Sequence, residues 1–273
     1  MLGQYGLASR IPVCLISLTD AAERRDRLVA RGVPRHWVEH YYEATDLRNV
    51  PDSAAQGYVE EKVILSRYGR RLRSPEIGCA ASHMSAYQWI AASKFDLMLI
   101  LEDDIVPSSD AHLEHLHSIC DVLYPLARAG MSFICHLGTR DRYFQIGSYR
   151  RIKYSGTTMP STELVLHSNG KASVWSSHAY LVSRTAAKCI AGDGAIKYVA
   201  DDFGSMNIDG VIGRVFLAKP KIYDWDKATL SSIQTGVQNS TSPKRSWKQQ
   251  AIKFCYRLRS AALSFIPYHI KHN

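Results

Sequence analysis

Apolar residues in this chain fall into short, nearly unbroken runs separated by longer amphipathic stretches. IPVCLISL at 11–18 and LMLIL at 97–101 have the pattern of strands buried on both faces. FICHLG at 133–138 and VIGRVFLA at 211–218 read the same way, the second closed by Pro220. HWVEHYYEA at 36–44, rich in aromatic and β-branched residues, predicts a further strand. TELVLH (162–167) and ASVWSSHAYLVS (172–183) flank Asn169-Gly170 and predict a hairpin.

Helices are predicted between these runs. Asp20 and Glu23 form a capping-box pair ahead of a helix that runs through Leu28 and stops at Gly32. Ser74 as cap and Pro75 at the first helical position open a helix reaching about Ser93. Ser109 or Asp110 caps another, with Leu113, Leu116, Ile119 and Leu123 on one face. A short helix spans 184–191 and ends at Gly192. Residues 46–73 read as polar and irregular, with Arg67, Arg70, Arg71 and Arg73 clustered, and 139–161 as loop and edge. Strands alternating with helices predict an α/β sheet. No internal repeat or low-complexity tract interrupts it.

At 273 residues and 46% hydrophobic composition, the chain is long enough for one sizeable core. Its formal charge of +9 is unevenly distributed. After Asp226 no acid occurs, while Lys227, Lys244, Arg245, Lys248, Lys253, Arg257, Arg259 and Lys271 follow. The rest of the chain is therefore close to neutral. This predicts a folded domain over 1–235 and a basic tail over 236–273. The six cysteines (Cys14, Cys79, Cys120, Cys135, Cys189 and Cys255) show no CxxC spacing and read as buried free thiols. The N-terminus lacks a secretory pattern, and no run is long enough to span a bilayer, so a cytoplasmic location is expected.

The chemistry concentrates in LMLILEDDIVP, 97–107. A buried strand runs directly into Glu102, Asp103 and Asp104, whose mutual repulsion grows as the site dries out. A divalent cation, Mg²⁺ or Mn²⁺, would relieve it with oxygen ligands. Residues two apart on an extended segment point the same way, which predicts Glu102 and Asp104 on one ion and leaves Asp103 for a sugar or ribose hydroxyl. A solvated acidic turn is the alternative.

IPVCLISLTDAAERR, SPEIGCAASHMSAY, LMLILEDDIVP, SSHAYLVSRTAA and YVADDFG occur in that order. The series resembles glycosyltransferase family 25, which includes bacterial lipooligosaccharide β-1,4-galactosyltransferases and procollagen galactosyltransferases, over about 11–235. The resemblance implies a GT-A-like α/β domain, a UDP-sugar donor, a divalent metal and inversion at the anomeric carbon. Glu-Asp-Asp stands where many GT-A enzymes carry Asp-x-Asp.

On that resemblance, Ile16, Ser17 and Leu18 end a strand that contacts the nucleotide. Arg24 and Arg25 either reach a phosphate or base or form a solvated helix face. Glu76, Cys79 and His83 share one helix face. Cys79 and His83 have zinc-binding chemistry but no second pair of ligands, so packing is expected for Cys79 and either a substrate-facing hydrogen bond or a satisfied core position for His83, with Glu76 in the same donor-binding group. His178 is a candidate to complete the metal shell, and His136 reads as core. The catalytic base is expected at Asp201 or Asp202, one of which could instead cap a helix.

In the tail, Trp247, Ala251, Phe254, Leu258, Ala261 and Phe265 recur at helical spacing among cations. This suits an anionic membrane surface; a basic helix packed on its own domain and a nucleic-acid arm are the alternatives. The expected partners are a UDP-sugar and a glycolipid or oligosaccharide acceptor, with the enzyme peripheral on the inner face of a bacterial membrane. Two other readings are a membrane-binding protein with a degenerate transferase domain and a metal-dependent phosphohydrolase.

Overall fold

The computed structural model describes residues 12–138, 149–152, 163–167 and 176–226. The strands are β1 (Val13–Ser17), β2 (Tyr42–Glu43), β3 (Leu97–Glu102), β4 (Ile105–Pro107), β5 (Phe133–His136), β6 (Tyr149–Ile152), β7 (Glu163–His167), β8 (Ala179–Ser183), β9 (Arg214–Lys219) and β10 (Tyr223–Trp225). The helices are α1 (Ala22–Ala30), α2 (Arg35–Glu39), α3 (Asp52–Ala55), α4 (Glu61–Tyr68), α5 (Ser74–Ala92), α6 (His112–Arg128), α7 (Arg184–Ala191) and α8 (Phe203–Ile208). The architecture is mixed α/β and Rossmann-like. The main sheet has the order β2-β1-β3-β8-β5-β9-β7-β6, and β10 pairs antiparallel with β4. Within the main sheet, β8 and β7 run against the other strands.

Strand parity divides the core between two faces. Leu15, Leu99 and Leu101 pack with Leu28 of α1, Val38 of α2 and Leu123 of α6. Cys14, Ile16, Met98 and Ile100 pack on the other face with Tyr87 of α5, Ile190 of α7 and Phe203 of α8. This period of two is why LMLIL needs no polar position. A smaller core of Leu47, Ala55, Ile64, Leu72, Ile77, Ala80, Ala81 and Ile196 lies under the 46–73 excursion.

Several local expectations are corrected. Residues 35–39 form α2, started by Pro34, and only Tyr42–Glu43 join the sheet. Trp37 and Val38 serve burial from a helix, which explains their strand-like composition. The 46–73 segment contains α3 and α4. Among α4 residues only Ile64 is buried, too little to leave a periodic signal, and Gly69 ends the helix at φ 69°. Strands β7 and β8 are not a hairpin, because β5 and β9 lie between them.

Helix starts differ as well. Asp20 does not cap α1 but pairs with Arg48 at 2.7 Å. Ala111, rather than Ser109 or Asp110, precedes α6. Ser74 is the first helical residue of α5, with Arg73 in the cap position, and Ser74 Oγ donates to Asp52 at 2.8 Å. Cys189 is exposed rather than buried. The basic tail and the Asn169-Gly170 connection lie outside the described residues.

Candidate active site

Strands β1, β3 and β5 end at the same edge of the sheet, and β8, running the other way, begins there. Chain ends carrying Ser17, Glu102 and His136 therefore meet the Ser176–His178 segment. Ligands collect at this edge in open α/β sheets.

Parity sends the adjacent acids to opposite sides. Glu102 continues the face of Met98 and Ile100, toward α5. Its Oε1 accepts from Ser177 Oγ at 2.5 Å and lies 3.2 Å from His83 Nε2. Burial alone would raise the Glu102 carboxyl, but His83 and Ser177 hold it below the usual carboxylate range. Asp103 turns toward α1, where its carboxylate accepts from Ser17 Oγ at 2.7 Å and Arg24 at 3.1 Å. β3 ends at Glu102, and Asp103–Asp104 form a turn. The extended-strand argument that aligned Glu102 with Asp104 therefore does not apply.

Asp104 is still electrostatically tied to the site. Burial, then repulsion from Glu102 and Asp103, pushes its carboxyl up to about 7. Asp104 Oδ1 is enclosed and has no hydrogen-bond partner. An orphaned carboxylate oxygen beside two other acids fits a hard divalent cation with oxygen ligands.

Two clefts adjoin the side chains that hold Glu102, with His83 on the first and Ser177 on the second. The first is bordered by Ile16, Ser17, Leu18, Arg24, Asp103 and His83. The second, of about 290 Å³, is bordered by Tyr68, Arg70, Glu76, Ser177 and Asp201. Cys79 lines both, and Glu102, Asp201 and Asp104 all add to burial in raising its thiol far above the ordinary value.

The structure thus gathers Ile16, Ser17, Leu18, Arg24, Asp103 and His83 around one cleft. Arg25 is outside that wall: it stacks on Tyr41 at 4.0 Å and donates to Leu18 O at 2.6 Å, bracing the turn after β1. Glu76 faces the second cleft, held by Arg70 at 2.6 Å and by the Arg73 backbone N–H at 2.9 Å. His83 is buried, with Nδ1 2.7 Å from Tyr180 Oη. His178 is buried, hydrogen-bonded through Nδ1 to Ser176 Oγ, and set edge-on to His136 at 5.7 Å and Trp225 at 6.4 Å. His136 is fully buried and its pKa lowered to about 3 by burial and by His178, in keeping with a core role.

Asp201 and Asp202 separate cleanly. Asp202 caps α8 by accepting from Ser205 N at 3.0 Å and also accepts from Tyr68 Oη at 2.9 Å. Asp201 faces the second cleft, takes one bond from Ser176 N at 3.1 Å, and is pushed up to about 6, chiefly by burial and by Glu102.

Sequence reasoning missed Ser177, Tyr180 and Tyr87. Tyr87 was accessible, since it lies one turn beyond His83 on α5. Ser177 and Tyr180 depend on how β8 pairs with β3, which no local pattern reports.

A search of curated proteins returned no match. Among solved structures, a UDP-glucose pyrophosphorylase complexed with UDP-glucose is 8% identical, covers 79% of this chain and 75% of its own, and gives a TM-score of 0.35. An overlap that loose carries no weight for function. The family model "Glycosyltransferase family 25 (LPS biosynthesis protein)" matches residues 10–203. That span takes in more than two thirds of the chain, from β1 through α5 and β3 to Asp201 and Asp202, and the chain belongs to glycosyltransferase family 25.

Proposed function

We propose that this glycosyltransferase moves a hexose, galactose on the family resemblance, from a UDP-sugar to a terminal sugar of lipooligosaccharide or lipopolysaccharide, with inversion. The observation that carries the reading is the pair of clefts that meet at Cys79, with Arg24 and Asp103 on the first and Asp201 on the second. A donor in the first cleft and an acceptor in the second would meet at Glu102 and Cys79.

In this scheme the acceptor hydroxyl oxygen attacks the anomeric carbon from the face opposite UDP. The bond between that carbon and the diphosphate oxygen breaks, and UDP leaves with the electron pair. Asp201 takes the hydroxyl proton, a task suited to a carboxylate whose pKa lies near 6. Ser176 N–H fixes its orientation. Asp202, already committed to the α8 cap and Tyr68, supports the loop rather than reacting. Arg24, anchored by Asp103, supplies positive charge to the donor side. Glu102 and Asp104 would hold Mn²⁺ or Mg²⁺, with His178 as a further candidate; when bound, the ion offsets charge developing on the diphosphate.

No described helix is long and apolar enough to cross a membrane. The basic tail is proposed to hold the enzyme against the anionic inner membrane surface. Incubation of the purified chain with a panel of UDP-sugars, Mn²⁺ and deacylated lipooligosaccharide tests the transferase reading. Release of UDP coupled to acceptor glycosylation, with inverted anomeric configuration by NMR, is expected. Absence of both transfer and donor hydrolysis across the panel defeats it.

A further inference from the structure

Beside the oxygen donors, the structure assembles a softer set of ligands. Cys79, His83 and Glu102 each offer one ligand atom, all within 4.8 Å of one another. Ligands around a tetrahedral zinc ion lie roughly 3–4 Å apart, so little movement closes this set on one ion. Cys79 and His83 are one turn apart on α5, and Glu102 ends the central strand β3, so regular elements carry all three.

An independent feature concerns the far side of the His83 ring. Its Nδ1 is 2.7 Å from Tyr180 Oη, which is 2.7 Å from Tyr87 Oη, and the ring stacks on Tyr180 at 5.8 Å. All three side chains are buried. The chain locks the imidazole with Nε2 facing Glu102. Metal-bound histidines are oriented by such partners on the other nitrogen. Tyrosine hydroxyls donate or accept, so the same chain accommodates the Nδ1–H tautomer that coordination through Nε2 requires. Cys79 lines both clefts, which leaves open space on the ion's remaining side.

We propose that Cys79, His83 and Glu102 form a binding site for a thiophilic divalent cation of the zinc type, open to the cleft. Thiolate, imidazole and carboxylate suit Zn²⁺, Co²⁺ and Cd²⁺ rather than Mg²⁺. Loading releases the Cys79 thiol proton to solvent and places the His83 proton on Nδ1, facing Tyr180 Oη. Because Glu102 also belongs to the oxygen site of the proposed transferase, zinc and Mn²⁺ compete there; that clause alone rests on the transferase reading.

Titration of the full chain with Co²⁺, followed by near-ultraviolet and visible absorption, tests the site without any sugar. The expected result is a thiolate-to-cobalt charge-transfer band saturating at about one equivalent and bleached by Zn²⁺. Cys79→Ser should abolish the band, and Tyr180→Phe should weaken Zn²⁺ binding by about tenfold or more. If Cys79→Ser does not fold, Glu102→Gln and His83→Gln replace it, and each should lower Zn²⁺ affinity by at least about tenfold. No band in the wild-type chain, or an unchanged band or affinity in these variants, overturns the site. Since no donor is present, that failure leaves the transferase reading untouched, and a chain that binds Co²⁺ but transfers no sugar would fail the reverse way.

Discussion

Asp201 and Asp202 are neighbours in sequence but are bonded differently: Asp202 accepts from the α8 backbone and Tyr68, while Asp201 accepts from Ser176 N and lines the second cleft. Asp201→Asn should lower kcat by about 10²-fold or more while leaving UDP affinity by calorimetry within error. In the wild type the rate should fall about tenfold per unit below pH 6, as the Asp201 carboxyl, pushed up to about 6, becomes protonated. Asp104 gives a stability prediction with a definite sign. Its folded pKa of about 7 lies above the ordinary aspartate value, so without a cation its ionised form costs stability above that pH. The cost shrinks as pH falls from about 7 toward the unfolded value near 4 and is absent below it. Asp104→Asn should therefore raise the metal-free Tm by about 2 °C or more at pH 8 and change it little at pH 4. On the proposed reading Mn²⁺ with UDP should raise the wild-type Tm, and the same variant should lose that gain; scanning calorimetry reads both. That acids gather at the end of β3 was legible. Their directions were not, because β3 stops at Glu102 and the turn reassigns Asp103 and Asp104.

At the scale of elements, the long runs behaved as their periodicity predicts: β1, β3, β5 and β9 are buried strands, and α5, α6 and α7 lie where their patterns place them. Errors fell on short segments, where one or two buried residues decide the conformation and composition cannot tell a helix turn from a strand. The junction after β5 offers a sharp test. A Cβ on Gly138 would lie 1.9 Å from His178 Nε2 and 2.9 Å from Tyr223 O. Gly138→Ala should therefore push the His178 ring from its place and cost about 1–3 kcal/mol by urea unfolding. Transfer activity should fall with it, since β8 and Glu102 are joined there by the bond from Glu102 N to His178 O at 2.8 Å.

For the whole molecule, charge asymmetry assigns nearly all net positive charge to the segment after Asp226. Binding to vesicles containing anionic lipid should be lost on truncation after residue 235 and reduced severalfold by raising salt from 0.1 to about 0.5 M, as flotation would show. The sequence by itself determined that strands alternate with helices, that acids end the central strand, and that ordered motifs match one transferase family. Those properties depend on neighbours within a few residues or on the order of segments. Only the tertiary structure decided that Ser17 and Arg24 meet Asp103, that Cys79, His83 and Ser177 surround Glu102, and that Asp201 rather than Asp202 faces a cleft. Each of those meetings depends on which strand lies beside which, and the pairing of β8 between β3 and β5 is set by packing of the whole core, which the hydrophobic pattern of any one segment does not encode.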